Sequence, residues 1–206
     1  MSDPANIREE AKSAAQSGNY EKAAELYGGL WHSEDPNVWD ARGLANALRK
    51  SNQYEDALEV CRAALSKEPG FGPVASEFSW VFWQLHIKNA KKPVSRSLVD
   101  EFLEVRNSVE DPYDKYSAFS RALLDLSKLE LEANNPSLAL EYAEHLDSAK
   151  LDPSTNLYND KTLPGPRQSY YTTVGTALKA DSNWHRLQKL SSDVRNDRQI
   201  RWANKG

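Results

Sequence analysis

Near the end of the chain six cations, Lys179, Arg186, Lys189, Arg195, Arg198 and Arg201, are interleaved with Tyr170, Tyr171, Trp184 and Trp202. Positive charge attracts phosphate and flat rings stack on unpaired bases, so this mixture could hold single-stranded nucleic acid. Charge is unevenly spread: residues 161–206 carry net +6, residues 101–160 net -8 and residues 1–100 net -2, within a total of -4. No nucleic-acid-binding motif accompanies the basic end, so nucleic-acid association is an alternative expectation only.

Catalysis finds less support. His32, His86, His145 and His185 are scattered, and neither a phosphate-binding glycine loop nor a metal-ligand spacing occurs. Glu130, Glu132, Glu141 and Glu144 invite a paired-acid reading. Without converging histidines or an apolar cleft they are expected to be solvent-facing helix residues. Cys61 is the single cysteine, which precludes an internal disulfide, and it is expected to be a buried structural thiol. The chain is therefore expected to be non-enzymatic, with no catalytic residues, no metal and no cofactor.

The elements that would position such residues are helices. Asp3-Pro4 reads as a cap and first helical residue, with a helix to Gln16 ended by Gly18. A second helix over 20–32 aligns Tyr20, Ala23, Ala24, Tyr27 and Leu30 along one face. Further helices are expected over 37–50, 53–67 and 73–87, then from after Ser97 to about 108 with Asp100 completing a capping box, then over 114–133 and from Pro136. Pro153, Pro164, Gly165 and Pro166 mark a connection over 152–167, and Tyr170 to Lys179 with Trp184 to Arg195 suggest a last hairpin.

These helices repeat. Asn19-Tyr20-Glu21-Lys22-Ala23-Ala24-Glu25-Leu26-Tyr27 returns 34 residues later as Gln53-Tyr54-Glu55-Asp56-Ala57-Leu58-Glu59-Val60-Cys61. Ala11, Ala14 and Leu30 have Ala45, Leu48 and Ala64 at the same offset. Fixed-period self-similarity of this length indicates stacked helical hairpins, each burying a face that it could not bury alone.

The unit resembles the tetratricopeptide repeat (TPR), clearest over residues 4–71 with a degenerate continuation. Leu44-Ala45, Leu48, Asn52, Tyr54, Ala57, Ala64 and Pro69 carry the match, with Gly18, Tyr20, Ala23, Tyr27 and Leu30 in the preceding unit. Ile7 and Glu10 depart from the family pattern, as suits a terminal repeat with one face in water. The resemblance implies an all-α fold of antiparallel hairpins in a right-handed solenoid. One elongated domain over 1–206 is expected, with a regular part at 4–87, an irregular helical extension at 97–151, the Pro-rich loop at 152–167 and a terminal hairpin and tail at 168–206.

In that family the first helix of each hairpin lines a concave groove. Carried over residue by residue, this places Arg8 and Lys12 beside Trp39, Arg42, Asn46, Arg49 and Lys50, with Trp80 and Trp83 on the matching face of the third unit. Arginine offers paired hydrogen bonds to carboxylates and tryptophan a large apolar contact, so the trough suits an acidic or carboxylate-ended peptide. Arg8, Asn46 and Arg49 partly match the family's carboxylate-gripping positions, whereas Lys12 stands where Asn is expected. Trp80 and Trp83 can share one helical face and serve either as ligand contact or as filler at an irregular junction.

The expected function is thus an adaptor or scaffold holding a protein or peptide segment in a basic, aromatic groove. A nucleic-acid-associated scaffold and an assembly subunit with self-association are the alternatives. The opening Met1-Ser2-Asp3-Pro4 has no basic, apolar targeting character and no run of about 18 apolar residues follows, so no membrane partner and a cytoplasmic location are expected.

Overall fold

The computed structural model describes residues 3–145. Among them are eight α-helices and one π-helical turn: α1 (Pro4–Gln16), α2 (Tyr20–Trp31), α3 (Val38–Lys50), α4 (Tyr54–Lys67), α5 (Gly72–Phe82) running into the π-turn Trp83–Ile87, α6 (Arg96–Ser108), α7 (Pro112–Glu132) and α8 (Pro136–Glu144). Among the described residues one compact unit is built from 3–86 with 99–110, and a second from 87–98 with 111–145. The Pro-rich loop at 152–167 and the hairpin at 168–206 lie outside the described residues.

Local chemistry starts and stops the helices. The Asp3, Asn37 and Asp111 side chains accept from Ala5, Trp39 and Asp114 N–H at 3.1, 2.8 and 2.8 Å, satisfying donors that the first turn leaves open. Gly18 and Asn52, one repeat apart, both take left-handed backbone, with φ of 80° and 65°. The amides that follow them, Asn19 and Gln53, each reach back 2.9 Å to Ala14 and Leu48 carbonyls. The same turn reappears out of period in the second unit, where Asn134 has φ 60° and Asn135 N–H bonds Glu130 O at 2.8 Å.

Within the first unit α1 packs on α2, α2 on α3, α3 on α4, and α5 on both α3 and α4. Small residues allow the close approach: Ala11, Ala23, Ala41, Ala45 and Ala57 are fully buried. Around α5 the core turns aromatic, as Phe82 meets Phe78 and Phe102 with ring centroids 5.9 and 4.8 Å apart. Bulky rings fill the space that a regular continuation of alanine-lined hairpins would not leave open.

One exchange of size runs through the stack. A side chain added at Gly43 would stand 2.7 Å from ring atoms of Tyr27, so glycine is required where the ring lies. One repeat on, Cys61 takes the place of Tyr27 and Glu77 that of Gly43, and both are buried. Burial first, then the Glu77 charge, push the Cys61 thiol far above its ordinary range, with Arg49 opposing.

In the second unit α7 packs on α8, and Ser127 Oγ donates to the Ala139 carbonyl at 2.7 Å. Glu130 corrects the solvent-facing expectation: it is buried and accepts from Asn135 Nδ2 at 2.9 Å, because the turn folds the asparagine amide back over α7. Glu132 is exposed, and Glu141 is half-buried and paired with Arg96 at 2.8 Å. Helix α6 begins at Arg96, ahead of the expected start, so Ser97 lies inside it and is not its cap.

Candidate functional site

Of the nine residues expected to line the groove, eight lie on α1, α3 and α5 and Trp83 on the π-turn after α5; α3 and α5 also carry two carboxylates, Asp40 and Glu77, that the repeat pattern did not single out. Arg8 on α1 donates through Nε and Nη2 to the two oxygens of Asp40 on α3, at 2.8 and 2.7 Å. Asp40 is only 2 % exposed, so this pair replaces the water that its carboxylate gives up. The bond and the charge of Asp40 raise the Arg8 pKa, opposed by burial.

Glu77 on α5 makes the second junction. Asn46 Nδ2 donates to its Oε2 at 3.1 Å and Arg49 Nε to its Oε1, so two α3 side chains converge on one buried carboxylate. Arg8 and Arg49 are in this way neutralised from within the stack. Each ties neighbouring first helices together.

The remaining cations behave differently. Arg42 and Lys50 are exposed and make no ion pair among the described residues. Lys12 is exposed and approaches Glu9 at 3.8 Å, a contact open to water and therefore weak. Arg42 also acts on Tyr27, whose phenol is raised by burial and by Asp40 and lowered by Arg42.

Among the described residues Trp39 is the most exposed of the large apolar side chains, at 55 %, and it packs edge-on against Phe71 with ring centroids 5.0 Å apart. Trp80 is 37 % exposed and stands perpendicular to Trp83 at 5.9 Å. The two tryptophans of α5 and the π-turn thus meet each other, with Trp80 accessible and Trp83 half-buried. The alternative set, Lys179, Arg186, Lys189, Arg195, Arg198 and Arg201, lies outside the described residues.

Asp40 and Glu77 have no counterpart within the regular repeats: 34 residues from Asp40 stand Asn6 and Val74, 34 before Glu77 stands Gly43, and Asp111, 34 after it, falls beyond the regular part. A clue was available in the burial that α3 and α5 impose on these positions. Among the described residues no group of three His, Cys, Asp or Glu side chains could hold a metal ion, and no helix is long and apolar enough to cross a membrane.

Residues 14–76 match the family model of the tetratricopeptide repeat. No curated protein matches the chain. Among solved structures, a double mutant of MamA designated RS-1 ArsTM aligns with TM-score 0.55 at 13 % identity, covering 99 % of this chain and 98 % of that one. MamA of AMB-1 aligns with TM-score 0.52 at 12 % identity over 98 % and 92 % of the two chains. A further MamA crystal structure gives 0.51 at 10 % identity over 96 % and 91 %. At these identities the likeness is one of fold, a helical-repeat solenoid.

Proposed function

We propose that this protein, whose residues 14–76 match the tetratricopeptide repeat, is a non-enzymatic interaction scaffold that holds a peptide or protein segment against the face of α1, α3 and α5. The observation that carries the reading is the contrast between its arginines. Arg8 and Arg49 are tied to buried Asp40 and Glu77, whereas Arg42 is exposed, has no carboxylate partner among the described residues, and stands one turn from the exposed Trp39.

An arginine without an internal counter-ion beside a solvent-facing tryptophan supports binding, since such side chains contribute most of the energy at recognition surfaces. Arg8, Lys12, Asn46, Arg49, Lys50, Trp80 and Trp83 frame these two. Those already bonded within the stack hold its shape, and the accessible ones add contact.

The test is an array of random twelve-residue peptides probed with the full chain. Arg42→Glu and Trp39→Ala are expected to erase the bound set while helical content stays unchanged. Binding that survives both substitutions, or no bound peptide at all, sinks the reading.

A further inference from the structure

Arg8 and Arg42 occupy the same place in successive repeats, 34 residues apart. Arg8 directs Nε and Nη2 onto the carboxylate of Asp40, 32 residues ahead. The same step from Arg42 arrives at Val74, which is apolar and 1 % exposed. The first pair of repeats therefore contains its own carboxylate, and the second has the guanidinium without one.

We propose that the bound segment supplies it: a side-chain carboxylate of an extended acidic segment pairs with Arg42 from the solvent side, since buried Val74 fills the place that Asp40 takes at Arg8. This rests on the groove reading above and names the chemistry of its partner. Arg8 demonstrates that a guanidinium at this repeat position can present its fork to a planar carboxylate.

Trp39 defines the second requirement. It lies three residues before Arg42 on α3, and both are exposed, so their Cβ atoms are about 5–6 Å apart on one face. Side chains i and i+2 of an extended segment project to the same side about 6.5 Å apart. A carboxylate on Arg42 thus brings an apolar side chain two positions away onto Trp39. Phe71 holds that ring edge-on, which lowers the entropy lost when the ring is covered.

A terminal carboxylate is the poorer fit, because the groups that would grip it are engaged. Asn46 and Arg49 both donate to Glu77. The ligand chemistry is therefore an acidic residue separated by one residue from an apolar one, within a chain.

Binding of fluorescein-labelled acetyl-Ser-Ser-Glu-Ser-Leu-Ser-Ser-amide to the full chain, followed by anisotropy, tests this. Exchanging Glu for Gln is expected to weaken binding by about tenfold, the scale of a charge-assisted hydrogen-bonded contact. Placing Glu and Leu adjacent should weaken it comparably. Arg42→Ala should abolish the preference for Glu over Gln, and Arg42→Lys should restore only a part of it.

A Glu preference unchanged in Arg42→Ala overturns the inference, and so does indifference to the Glu–Leu spacing. If the peptides bind with either of these results, and Trp39→Ala still weakens them, the groove reading stands while the inference fails. No binding of these peptides overturns the inference, and the random-peptide array then decides separately whether the groove reading goes with it.

Discussion

Arg8 and Asp40 join α1 to α3 through two hydrogen bonds of 2.8 and 2.7 Å, with the carboxylate only 2 % exposed and the guanidinium reaching the surface. The two partners are unequal. Removing the arginine strands a buried charge, whereas removing the carboxylate leaves a cation that can turn to water.

Arg8→Ala should therefore destabilise the fold by about 2 kcal/mol, and Asp40→Asn by about 1 kcal/mol, since the amide retains an acceptor. Urea denaturation monitored by circular dichroism reads both. Equal costs would mean that water already serves the Asp40 carboxylate.

The arginines of α3 should separate by the same logic. Arg42→Ala is expected to change stability by no more than about 0.5 kcal/mol, and Arg49→Ala to cost about 2 kcal/mol by leaving Glu77 poorly satisfied. Thermal melts of the two variants make the comparison. A silent Arg49→Ala would show that Asn46 alone suffices for Glu77.

Gly43→Ala should lower stability by about 1–2 kcal/mol, because its Cβ would press on the Tyr27 ring at 2.7 Å and outweigh the better helix propensity of alanine. Combining it with Tyr27→Leu should cost less than the sum of the two single changes. Additive costs measured by chemical denaturation would place the strain elsewhere.

His86 supplies a pH test. Burial, and then the positive charge of Arg62, lower its pKa from the usual 6.5, while Glu101 and Glu55 act in the opposite sense. The unfolded chain therefore binds the proton more readily, so stability is lost as pH falls below about 6.5 and towards the lowered folded value. His86→Gln should reduce the difference in melting temperature between pH 7.5 and pH 5.5. An unchanged difference would assign the acid sensitivity to other groups.

The Cys61 thiol, buried and with its pKa pushed up, should resist alkylation in the native state. Iodoacetamide labelling followed by mass spectrometry should show modification only as denaturant unfolds the chain. Rapid labelling in buffer would mean that α4 opens locally.

The hairpins were legible in sequence because backbone requirements repeat: Gly18 and Asn52 serve the same left-handed turn, and Ala23 and Ala57 the same close helix contact. The site was legible only in outline. Asp40 and Glu77 act across neighbouring first helices and have no counterpart within the regular repeats, so the period there carries no trace of them. Glu130 was misread for a related reason: an acid near a helix end looks solvent-facing until the following turn returns Asn135 over it. The residues from 146 onward, including the basic candidates at the chain end, stay at the level of sequence.

The exchange of Tyr27 over Gly43 for Cys61 beside Glu77 gives each joint of the stack its own key. A copy of the first hairpin set in front of α5 would bring a tyrosine ring to a glutamate where it needs a glycine, and a copy of the second in front of α3 would leave a hollow. The units share one pattern yet are not interchangeable, so their order is written into the joints themselves.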